Sequence, residues 1–239
     1  MPPVAILSYH KIGAEPPPGD WQSWYYVPEE TFAEQLVWFA ADGWTVVGID
    51  ELRAAIDEPD AVPDRSLLLT FDDGYASFVR TALPQLQMLG YPAVLFVPTD
   101  HVGGTNAWDA GQEPDEPLCD WRDLEDLRDA GVAVQPHGAS HRTFRDLSEA
   151  ERREELHRAR ACLENRLQAP ADVIAYPYGD DAGMPPSLRS ALEETGYRAG
   201  CLYGGGPNPV PFADRYRLSR LAMGPDSDLA AMVDATPAA

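Results

Sequence analysis

The chain has 239 residues, 44% of them hydrophobic, with 39 acidic against 18 basic side chains for a formal net charge of −21. So much like charge repels other polyanions, which excludes nucleic acids and teichoic-type polymers as favoured partners. No apolar stretch nears the roughly 20 residues that span a bilayer, and Met1 to Ala5 shows no basic region followed by an apolar block, so a chain without transmembrane segment or export signal is expected.

In chain order, apolar runs that predict strands alternate with amphipathic runs that predict helices. Val4 to Tyr9 is the first strand and ends on His10; a loop rich in Pro, Gly, Trp and acids follows from Gly13 to Val27. Pro28 to Asp42 carries Phe32, Leu36 and Phe39 at helical spacing and stops at Gly43. Strands are predicted at Thr45 to Val47 and Ser66 to Thr70, the second ending on Asp72 and Asp73, and at Ala93 to Val97 ahead of a second long loop, Pro98 to Leu118. Asp120 caps a helix that ends at Gly131, and Val132 to Gln135 leads into His137 and His141. Ser148 and Glu151 form a capping-box pattern for a charged helix reaching about Leu167. Val173 to Ala175, Ala199 to Leu202 and Arg217 to Leu221 are the last predicted strands, and the tail after Ala235 is expected to fray.

This alternation predicts an α/β fold, a (β/α) barrel of seven or eight mainly parallel strands forming one domain over residues 1–239. In such a barrel active groups gather on the loops after the strand C-termini. Each polar motif stands at such a point: His10, the Asp72–Asp73 pair, the two histidines, and Tyr176 to Gly179. The two long loops are expected to form part of the rim. Cys119, Cys162 and Cys201 are odd in number and far apart, which fits neither a disulfide framework nor a zinc ribbon.

Two histidines four residues apart and one carboxylate make a metal site with open positions. The adjacent carboxylate is then free to move a proton. Asp-Asp-Gly at a strand end would also suit a plain turn, and a His pair a solvated helix face, but the two together point to a metal-dependent hydrolase. Arg220 either orients a carboxylate by bidentate contact or closes a surface ion pair. Trp108 and Trp121 either stack on a ligand ring or pack in the core.

Thr70-Phe71-Asp72-Asp73-Gly74, His137-Gly138-Ala139-Ser140-His141 and Ala175-Tyr176-Pro177-Tyr178-Gly179 together resemble the polysaccharide deacetylases with a NodB homology domain, carbohydrate esterase family 4. The resemblance spans roughly residues 4 to 225, and the opening Leu7 to Ile12 looks most like the branch of poly-β-1,6-N-acetylglucosamine deacetylases. It implies a distorted (β/α) barrel that removes acetyl groups from N-acetylated or O-acetylated sugars with a divalent metal, usually Zn2+, with Co2+, Ni2+ or Mn2+ as substitutes. Position by position, Asp73, His137 and His141 match the metal ligands, Asp72 the catalytic base, and Tyr178 the residue whose backbone N–H helps hold the oxyanion. Family members are often exported, whereas this chain reads as cytoplasmic as written. Two positions depart from the pattern. Ala175 stands where the family often has an Arg that engages the base, and Arg220 where its last motif has a histidine acting as general acid, which leaves His10 as the candidate acid. The same scaffold hydrolysing a non-sugar C–N bond, or binding glycan without turnover, are the rival readings.

Overall fold

The structure, a computed structural model, describes residues 3–13, 19 and 24–234. Its strands are β1 (Pro3–Tyr9), β2 (Lys11–Ile12), β3 (Tyr26–Val27), β4 (Thr45–Val47), β5 (Ser66–Phe71), β6 (Val94–Val97), β7 (Ala133–Pro136), β8 (Val173–Ala175), β9 (Ala199–Cys201), β10 (Asn208–Pro209) and β11 (Leu221–Ala222). Its helices are α1 (Glu29–Ala41), α2 (Ile49–Asp57), α3 (Leu83–Leu89), α4 (Trp121–Asp129), α5 (Glu149–Leu167), α6 (Pro186–Thr195) and α7 (Leu229–Asp234). Among the described residues no helix is long and apolar enough to cross a membrane.

The strands form a distorted, mainly parallel (β/α) barrel. β1 pairs with β5 along its whole length, Val4 opposite Ser66 through Tyr9 opposite Phe71. The other edge of β5 is shared, its first half pairing with β4 and its last two residues with β6, which continues to β7. β8 and β9 form a separate pair. No strand ladder joins β7 to β8; instead the Gln135 side chain accepts from Val173 N–H (3.0 Å) and donates to the Pro170 carbonyl (2.7 Å). A buried amide on β7 thus supplies the donor and acceptor that a ladder would have supplied, so the opening leaves fewer backbone groups unpaired.

Strand periodicity sorts the core into two layers. Val4, Ile6, Leu68, Val94, Phe96, Val173, Ala175, Ala199 and Cys201 belong to one buried cluster, while the alternating Ala5, Leu7, Leu67, Leu69, Leu95 and Val97 belong to another that includes Phe32, Leu36 and Phe39 of α1. The first lies within the barrel and the second between barrel and helices. Helix ends follow the local chemistry. Asp120 caps α4 through Asp123 N–H, and both halves of the Ser148–Glu151 capping box form at the head of α5.

The predicted strand Arg217 to Leu221 is corrected. Leu218 makes a single bridge to Cys201, and only Leu221 and Ala222 pair with β1. Between them the Asn208 side chain takes both the N–H (2.8 Å) and the carbonyl (2.8 Å) of Ser219, so the segment crosses from β9 to β1 instead of running as one strand. The loop Pro98 to Leu118 contributes Trp108, Asp109, Gln112 and Glu113 to the barrel mouth, as expected of a rim. Most of the predicted Gly13 to Val27 loop lies outside the described residues, as does the tail from Ala235.

Candidate active site

Side-chain alternation delivers the barrel-facing row of four strands to one mouth. Ile6 and Ser8 lead to His10, Leu68 and Thr70 to Asp72, Gln135 to His137, and Ala199 and Cys201 to Tyr203. All four end residues line one cavity of about 280 Å3, together with Asp73, His141 and Tyr178.

Asp73 is out of step with Asp72, and its φ of 69° breaks the alternation, bringing its carboxylate to the same cavity. His141 (φ 57°) and Tyr178 (φ 58°) share this left-handed conformation. It costs a non-glycine residue on the order of 1 kcal/mol or more and is concentrated at functional sites. Gly179 is required by contact as well as conformation, because a Cβ there would lie 2.5 Å from the backbone N of Tyr203.

Asp73, His137 and His141 are buried and offer three ligand atoms all within 4.8 Å of one another. Asp73 Oδ1 lies 3.3 Å from His137 Nε2 and 3.1 Å from His141 Nε2, yet has no well-formed hydrogen bond. His137 Nδ1 donates to the Ala175 carbonyl at 2.8 Å, which orients the ring and points Nε2 at the carboxylate. Two imidazole nitrogens aimed at one orphaned carboxylate oxygen suit a divalent cation. Burial pushes the Asp73 carboxyl upward, but the neighbouring imidazoles of His141 and His137 outweigh it and hold the carboxyl well below the usual carboxylate range.

Asp72 occupies a different environment. Arg220 is fully buried and donates from Nη1 to Oδ1 (2.7 Å) and from Nη2 to Oδ2 (2.8 Å), while Ser8 Oγ donates to Oδ2 (3.2 Å). Burial raises the Asp72 carboxyl, and the opposing charge and hydrogen bonds of Arg220 bring it below its ordinary value. Of the two alternatives for Arg220, bidentate orientation of a carboxylate is therefore what occurs, and a surface ion pair is not. The guanidinium missing at position 175 arrives from the crossing segment after β9; Ala175 instead packs in the barrel and lends its carbonyl to His137.

His10 packs between Tyr25 (ring centroids 4.8 Å) and Tyr203 (5.7 Å), with Nδ1 buried and unpartnered among the described residues. Burial pushes its pKa down to about 4, so the imidazole is neutral at pH 7. Trp108 stacks on His141 with centroids 4.0 Å apart and planes 24° apart, and His101 meets Trp108 edge-on at 4.9 Å. Trp121 packs against the helix-facing core beneath Arg166.

Glu155 was not singled out in the sequence. It is buried on α5 and accepts from Ala139 N–H (2.7 Å) and Ser140 N–H (2.9 Å), so it holds the turn that carries His137 and His141. The available signal was its register: Glu155 stands four residues before Ala159 and eight before Leu163, on the buried stripe of the helix.

Residues 60–200 match the family model described as polysaccharide deacetylase. The chain is similar to the poly-β-1,6-N-acetyl-D-glucosamine N-deacetylase of Staphylococcus epidermidis, 23% identical over 244 residues that cover 92% of this chain and 79% of that protein. It is also similar to the Bacillus subtilis protein YxkH, a polysaccharide deacetylase by name, with 22% identity over 82% of this chain; it spans 63% of that relative's length. In fold it is similar to the Streptococcus pyogenes deacetylase PplD in complex with acetate (TM-score 0.80, 19% identity, 97% of this chain and 98% of that one). IcaB from Ammonifex degensii superposes equally well (TM-score 0.80, 24% identity, 95% and 94%).

Proposed function

The chain belongs to the polysaccharide deacetylase family, and on that premise we propose that it is a metal-dependent hydrolase removing acetyl groups from N-acetylated or O-acetylated sugars of a polysaccharide or glycoconjugate. The observation that carries the reading is the separation of two adjacent carboxylates, Asp73 facing two imidazoles and Asp72 facing a buried guanidinium.

Asp73, His137 and His141 are the proposed ligands of one divalent cation. Two nitrogen donors and one oxygen suit Zn2+ best, with Co2+, Ni2+ or Mn2+ as substitutes. Such a cation supplies Lewis acidity, polarising an acyl oxygen and making a water easier to deprotonate. Asp72 is the proposed base. Held ionised by Arg220, it accepts the proton of the attacking water, and Arg220 and Ser8 fix the direction in which its carboxylate points. The backbone N–H of Tyr178 is the proposed donor to the developing oxyanion, where one such donor contributes about 3–4 kcal/mol. His10 is the proposed acid. Being neutral at rest, it must first receive the proton that Asp72 has taken from the attacking water before delivering it to the departing amine or alcohol.

The names of the relatives support β-1,6-linked N-acetylglucosamine polymers as the first substrate to examine. The test is acetate release by the metal-loaded protein from a panel of acetylated glycans, run beside small amides and ureides. Release from glycans is expected; hydrolysis confined to the non-sugar compounds, or none despite retained metal, rejects the reading.

A further inference from the structure

Resting on that reading for where the acetylated sugar is held, we propose that the part of the cavity wall built by Lys11, Tyr75 and Glu113 binds the hydroxyl groups of a neutral pyranose and rejects a pyranose bearing a carboxylate. Lys11 on β2 and Glu113 in the rim loop are 102 residues apart, yet they form an ion pair with only 3% and 5% of each residue exposed. The ammonium lies 4.4 Å from the ring centroid of Tyr75 and 4.8 Å from that of Tyr26. Desolvation offsets much of the attraction in such a pair, so stability alone is a weak reason for it.

A second, independent observation points to a ligand. Tyr75 is 1% exposed, lines the same cavity, and its hydroxyl has no hydrogen-bond partner among the described residues. A buried hydroxyl left unpaired is destabilising, and a sugar hydroxyl would satisfy it. The half-buried rings of Tyr25 and Trp108 line the cavity beside these polar groups, giving a pyranose apolar surface for its C–H faces. At about 280 Å3 the space lies at the lower edge of the range for small-ligand sites, which suits one sugar unit. Asp109 joins Glu113 in the lining, so two carboxylates face one lysine here. At this part of the wall a carboxylate on the sugar would meet like charge.

The test measures binding and turnover separately. Metal-loaded Asp72→Asn protein, which cannot turn over by this mechanism, is titrated with a neutral N-acetylglucosamine tetramer. It is then titrated with a tetramer in which carboxylated N-acetylmuramic acid alternates with N-acetylglucosamine. The neutral tetramer is expected to bind at least tenfold more tightly. Tyr75→Phe, which keeps the ring over Lys11, should weaken its binding by roughly three- to tenfold, the worth of one hydrogen bond, and Glu113→Gln should narrow the discrimination. Equal binding of the two tetramers, no binding of the neutral one, or an unchanged Tyr75→Phe affinity overturns the proposal. Discrimination that persists in protein whose Asp72 form releases no acetate upholds the wall and rejects the deacetylase reading instead.

Discussion

At Asp72, a guanidinium with no solvent exposure sets both the direction and the charge of the carboxylate. Because the folded pKa is depressed, the pair stabilises the fold above the unfolded value of about 3.9, and that stability is lost as pH falls through the folded value. Removing the guanidinium outright would leave a buried charge unpaired at a cost of about 3–5 kcal/mol, so Arg220→Lys is the informative variant. A single ammonium keeps the charge and loses the fork. Asp72 then holds its proton more readily, and the acid limb of the pH–rate profile should move to higher pH, with kcat falling about tenfold or more. An unmoved limb would mean that Arg220 does not act through Asp72. The two aspartates and two histidines were legible because each pair is local in sequence. Arg220 was legible only as a pair of alternatives, because its contact with Asp72 closes over 148 residues and the sequence does not say whether the guanidinium is buried beside a carboxylate or exposed in an ion pair.

Among the elements, α5 does more than cover the barrel. Its Glu155 carboxylate takes two backbone donors of the histidine-bearing turn with a single oxygen, Oε2. Glu155→Ala should therefore strand both N–H groups, costing about 2–3 kcal/mol in denaturant unfolding and loosening metal binding. Glu155→Gln retains one carbonyl oxygen and should recover most of both. Equal loss in the two variants would show that charge, not hydrogen bonding, holds the turn. A charged helix reads as solvated, which is why Glu155 escaped notice while the capping box at its head did not. The alternation of apolar and amphipathic runs gave seven of the eight predicted strands close to their observed bounds. The eighth was misread because an apolar-polar alternation cannot reveal that a side chain, Asn208, replaces the strand partner of Ser219.

Over the whole molecule, the proposed ligands come from the ends of β5 and β7, on two sides of β6. A cation there ties these strand ends together and stabilises the folded chain by mass action, about 2.7 kcal/mol at a free concentration a hundred times Kd. The barrel was legible as a class because strand and helix periods alternate throughout. Its break between β7 and β8 was not, since a side chain bridges what a ladder would normally close. The most direct measurement is metal content per chain, read with acetate release, for the native protein, Asp72→Asn and Asp73→Ala after dialysis. One ion per chain is expected in the first two and none in the third, with acetate release reduced about 10²- to 10⁴-fold in Asp72→Asn and abolished in Asp73→Ala. A full complement of metal in Asp73→Ala, or its loss in Asp72→Asn, would contradict the division of roles between the two carboxylates.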